Sequence, residues 1–152
     1  MKRFLGFAMV FVAALVLSSC EKEGGVSNEY LDVTPNNISG VWRVESFDNG
    51  VELNEKTYRY IEFRRKDKSF VSYDNLGSME VQKRSGRFDI TTDGAAVIRG
   101  QYNFGQGDWE PSYYVRDLTK ERMVWVAIDD ESLVTVYVRA ELPDWIPVEE
   151  EN

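Results

Sequence analysis

From residue 40 onward, apolar and polar positions alternate in short runs separated by turn-forming residues, a rhythm that predicts strands rather than helices. Residues 41–47 form the first run, closed by Asp48-Asn49-Gly50, in which Asn-Gly suits a tight hairpin because both residues tolerate positive φ. Residues 58–64 alternate only in part, yet their aromatic and β-branched content favours a strand. Arg65-Lys66-Asp67 turns the chain into residues 69–73, and Asp74-Asn75-Leu76-Gly77 turns it again. Met79 and Val81 share one face of the next run, with Glu80 and Gln82 on the other, and Ser85-Gly86 separates it from Phe88 and Ile90. Thr92-Asp93-Gly94 leads into residues 95–102, a loop with two glycines spans 103–111, and three more runs cover 113–117, 123–128 and 133–139. Turn signals recurring about every eight to twelve residues predict an all-β domain. That rhythm is the one of an antiparallel barrel or sandwich, and closure into a barrel is expected because an open meander of this many strands would leave two exposed edges.

The N-terminal pattern differs. Lys2 and Arg3 precede an apolar run over residues 4–17, and Leu17-Ser18-Ser19-Cys20 brings small residues up to the single cysteine. These fourteen residues fall short of the about 20 that a helix needs to cross a bilayer, so the run reads as a cleaved export leader. Leu17, Ser18, Ser19 and Cys20 resemble the lipobox of bacterial lipoproteins. That resemblance implies cleavage before Cys20, lipidation of its sulfur, and a mature chain whose membrane partner is reached through buried acyl chains such as palmitate. Residues 21–39 open on Glu21-Lys22-Glu23-Gly24-Gly25 and are too polar to offset their ordering entropy, so a flexible tether is expected. Glu21-Lys22-Glu23 is similar to charged export signals used by some Gram-negative bacteria. It implies an outer membrane lipoprotein, with surface-exposed and periplasm-facing positions both open. The expected organisation is a leader over 1–19, the lipidated cysteine and tether over 20–39, the barrel over 40–142 and an acidic tail over 143–152.

Charge and composition then remove whole classes of function. Losing Lys2 and Arg3 with the leader takes the net charge from −8 to −10, which excludes nucleic acid as a partner because its phosphates require clustered cations. Histidine is absent, and acylation of Cys20 leaves no thiol. No Ser-His-Asp or Cys-His pair and no imidazole or thiolate metal site can therefore be built, so the chain is read as non-catalytic, without cofactor or metal. Asp129-Asp130-Glu131 lacks the alternating ligands and glycine of a calcium loop and reads as a solvated turn. Arg64, Arg65, Lys66 and Lys68, with Asp67 among them, read as an exposed hairpin tip.

Gly40-Val41-Trp42, at the head of the first run, resembles the Gly-x-Trp opening of lipocalins and related calycin barrels. Residues 114–119, then Met123-Val124-Trp125-Val126 and Tyr137-Val138, resemble the closing half of the short lipocalin-like domains of bacterial lipoproteins. The resemblance spans about residues 40–140 and implies an all-β, lipocalin-like fold, a single antiparallel up-and-down barrel of about eight strands with Trp42 plugging one end and a cup at the other.

Four aromatics are the candidate ligand-binding residues: Trp109, Tyr113, Tyr114 and Trp125. Trp125 lies in a strand with Val124 and Val126 pointing the other way, so it packs inside or lines the cup. Trp109 follows Gly105-Gln106-Gly107-Asp108 in a loop where strand alternation does not bury it. It either grips a ligand at the barrel mouth or folds over the barrel end to cap the core. Trp145, between Pro143 and Pro147, is expected to pin the tail. Two functions stay open. The first is a membrane-tethered module holding a small apolar or glycan-like molecule in its cup; the second is a scaffold with a filled barrel that meets a protein partner. A sizeable aromatic-lined cavity favours the former, and a filled interior with an exposed apolar patch favours the latter.

Overall fold

The computed structural model describes residues 29–47, 51–53, 56–78 and 80–146. The leader, Cys20, the Asn49-Gly50 turn, Met79 and the tail past Ile146 lie outside the described residues. Helix α1 (Pro35–Ile38) precedes nine strands: β1 (Gly40–Phe47), β2 (Val51–Glu52), β3 (Arg59–Arg64), β4 (Ser69–Asp74), β5 (Gln82–Thr91), β6 (Val97–Tyr102), β7 (Tyr113–Arg116), β8 (Arg122–Ala127) and β9 (Val134–Arg139). Strands β1, β3, β4, β5, β6, β7, β8 and β9 pair antiparallel in that order, and β9 returns to β1. The result is a closed eight-stranded barrel with no free edge, onto which β2 adds a short ribbon beside the end of β1.

Period-two alternation sorts the side chains. Trp42 and Val44, Ile61 and Phe63, Phe70, Phe88, Ile98, Val115, Met123 and Trp125, and Tyr137 all face inward and form one core. A register shift between Val44 and Ser46 returns Phe47 to the inner side, where it packs against that core. Strand β5 runs unbroken through Ser85-Gly86, where a turn was expected. Gly86 is there for close approach: a Cβ would run into the Gln101 carbonyl and the Phe70 ring.

One end of the barrel is sealed. Thr34 caps α1 by accepting from the Asn37 backbone N–H at 3.2 Å, and Pro35 occupies the first turn, where its missing donor costs nothing. The helix buries Ile38, whose carbonyl accepts from Trp42 Nε1 at 2.7 Å. Leu31 donates its backbone N–H to Leu118 at 2.7 Å, and Leu31 and Val33 pack on the core. Packing therefore begins well before residue 40, within the stretch expected to be tether, because its few apolar side chains find the barrel end. Arg139 lies over the Trp42 ring at 3.7 Å and donates to the carbonyls of Ser39, Asn37 and Lys120 at 2.7, 3.2 and 3.1 Å.

A second cluster lies outside the barrel, where Tyr60, Val71 and Tyr73 on β3 and β4 are covered by the C-terminal segment. Ile146 is its buried anchor. Trp145, expected in that role, packs edge-on against Tyr58 at 4.8 Å and stays mostly exposed.

Candidate functional site

The opposite end stays open, and the segment after β6 shapes it. Phe104 and Gly105 both have positive φ, and Gln106 N–H donates to the Asn103 carbonyl at 3.4 Å, forming the mirror-image turn that a tight hairpin requires. The chain folds back along β6: Tyr102 N–H donates to Gly107 and Trp109 N–H to Gly100, each at 2.8 Å, with Gln101 opposite Asp108. Trp109 is thus placed in strand-like pairing and points into the barrel at 9% exposure, correcting the view that no alternation buries it. Gly100 makes the seat, since a Cβ there would collide with the indole. Glu110 and Pro111 interrupt this pairing before β7 resumes it opposite Val97 and Ile98.

Trp109 meets Phe70 at 4.8 Å and Trp125 at 5.5 Å between ring centroids, and Trp125 meets Tyr113 at 5.1 Å and Tyr137 at 4.8 Å. Trp109, Tyr113 and Trp125 therefore share one cavity wall, and the structure brings these three candidates together. Tyr114 goes elsewhere. Strand parity puts it on the outer surface, under Arg116 at 5.5 Å, because Tyr113 and Val115 face inward.

The cavity at this open end has a volume of about 80 Å³. Besides the aromatics it is bordered by Arg59, Ser72, Asp74, Arg84 and Glu110, polar residues that sequence reasoning did not single out. Asp74 is 2% exposed; its carboxylate accepts from Arg84 Nη2 at 3.1 and 3.4 Å and from the Leu76 backbone N–H at 3.4 Å. Arg59 approaches the same carboxylate through Nε at 3.7 Å. The Arg59 and Arg84 side chains are 38% and 35% exposed, so the buried anion is bracketed by two half-open cations. Burial raises the Tyr137 phenol far above its ordinary pKa against a smaller opposing pull from Arg59, so the hydroxyl stays protonated at the cavity wall. Outside this space, Arg59 and Tyr113 also border a mouth groove of about 250 Å³ with Phe47, Leu76, Pro111 and Leu133.

A small up-and-down β-barrel, plugged by tryptophan at one end and open at the other onto an aromatic and charged cavity, defines a calycin-type architecture. The lipocalin-like domain family matches residues 38–125, and the chain belongs to it. Among solved structures it is similar to a lipocalin-like protein from Bacteroides uniformis at 15% identity and a TM-score of 0.51, covering 68% of this chain and 99% of that one. No curated protein matches.

Proposed function

We propose that this chain is a membrane-tethered, non-catalytic binding lipoprotein of the outer membrane that receives a small molecule at the open end of its barrel. The supporting observation is the contrast between the two ends, one sealed by Trp42 and α1, the other opening on Trp109, Tyr113, Trp125 and the Arg59–Asp74–Arg84 group. Pockets that swallow a whole ligand measure about 300–1,000 Å³, so at about 80 Å³ this interior admits only the tip of one. An apolar or sugar-like remainder would lie in the mouth groove against Phe47, Leu76 and Leu133. A tether from Cys20 would reach the sealed end, where Leu31 and Ile38 pack, and would hold the mouth away from the membrane.

The test has two arms. Mass spectrometry of the N-terminal peptide from membranes should find an acylated Cys20, and Cys20→Ser should release the protein from the membrane fraction. Native mass spectrometry of the purified chain should find a copurifying small molecule whose removal alters tryptophan emission, because Trp109 and Trp125 form the cavity wall. A chain that carries no ligand and whose emission responds to none of a metabolite panel would overturn the binding reading. The alternative, contact with a protein partner, is favoured by Phe104, 93% exposed at the tip of the 103–106 turn.

A further inference from the structure

We infer that the open end selects its ligand by a carboxylate head, received by Arg59; this rests on the binding reading above. Two guanidiniums share one buried carboxylate, so Asp74 balances only one of their charges. Arg84 is the committed partner, reaching both Asp74 oxygens through Nη2. Arg59 stands off at 3.7 Å, and with Tyr113 it borders both the inner cavity and the mouth groove. Glu110, the other acid on the cavity lining, is exposed and also borders the outer surface beside Ile128 and Asp129, where solvent screens its charge.

Arg59, held only loosely by Asp74, therefore presents its charge beside the aromatic walls of the cavity, where an entering anion can reach it. Guanidinium geometry suits a planar carboxylate, and the site already contains one in Asp74. A carboxylate is small enough for the inner space. An aromatic or short aliphatic tail would then rest on the apolar residues of the groove.

The probe pair is 3-phenylpropionate and its uncharged amide, read on the full chain by tryptophan emission and by the indole N–H signals of Trp109 and Trp125. The acid should bind about tenfold or more tightly than the amide, the amount expected for one charge-assisted hydrogen bond. Arg59→Gln should erase that preference while lowering the thermal midpoint by no more than a few degrees. Asp74→Asn removes the internal competitor and should tighten binding of the acid severalfold, whereas a triad that serves only to hold the barrel together predicts no gain. Raising the salt concentration should weaken the acid and leave the amide unaffected. Equal binding of acid and amide would sink carboxylate selection and leave the binding reading standing. A response to neither probe would sink selection of this head group, while a copurifying molecule lacking a carboxylate would keep the mouth as a site for something else. Should Asp74→Asn unfold the chain, Arg59→Gln decides alone, because Arg59 is half-exposed and its contact is long.

Discussion

The two ends of the barrel are both built around arginine and use it in opposite ways. At the sealed end Arg139 lies over Trp42 and commits each of its three guanidinium nitrogens to a backbone carbonyl. Arg59 and Arg84 at the open end face a single carboxylate, with solvent on one side and a small cavity on the other. The same side chain is a cover in one place and a receptor in the other. The difference lies in the acceptors: chain segments 37–39 and 120 present backbone carbonyls to Arg139, whereas Arg59 and Arg84 meet the Asp74 carboxylate.

The sharpest way to break this contrast is Trp42→Ala. It empties the sealed end of a fully buried indole and strands Arg139, so chemical denaturation should show a loss of about 3–5 kcal/mol. Gly100→Ala comes next. Its new methyl would meet the Trp109 indole, and overpacking costs about 1–3 kcal/mol. Tryptophan emission should also shift to longer wavelength as Trp109 leaves its seat; an unshifted spectrum with unchanged stability would contradict that seat.

Alkaline pH probes the mouth with a smaller effect. Burial raises the Tyr137 pKa above its ordinary value of 10.0. Below pH 10 the phenol is neutral in folded and unfolded chains alike, so the stability linked to it is fully present. Above pH 10 the unfolded chain ionises first and that stability is lost. Denaturation midpoints should therefore begin to fall near pH 10 and go on falling as pH rises toward the raised folded value, and those of Tyr137→Phe should fall less. Smallest of all is Arg59→Gln, which removes a half-exposed, loosely paired cation and should cost less than about 1 kcal/mol.

Much of the barrel was legible because alternation on a strand is local. Trp42, Tyr113 and Trp125 sit beside residues whose parity places them inside. Tyr114 could not join them, since neighbours on a strand face opposite ways, and the candidate set of both Tyr113 and Tyr114 overlooked this. Arg59 shares parity with Ile61 and Phe63, Asp74 with Phe70, and Arg84 with Phe88, a signal that was present but ambiguous. A charged residue at a strand end faces water on either side of the sheet unless the mouth closes around it. Asp74 in particular reads as the first residue of a turn, and only its pairing opposite Arg59 and Gln82 makes it the last residue of β4.

The chain by itself determined the strand rhythm and the acidic balance, because each depends on neighbours in sequence or on simple counts, and the tryptophan plug followed from the Gly-x-Trp resemblance. Only the tertiary structure decided that Gly100 seats Trp109, that Asp74 lies between two arginines, and that the interior shrinks to about 80 Å³. Those features join residues that meet only when neighbouring strands pair in register. The cavity is the small remainder between the space the barrel wall encloses and the volume its side chains fill, and that remainder is settled only once every strand is in register.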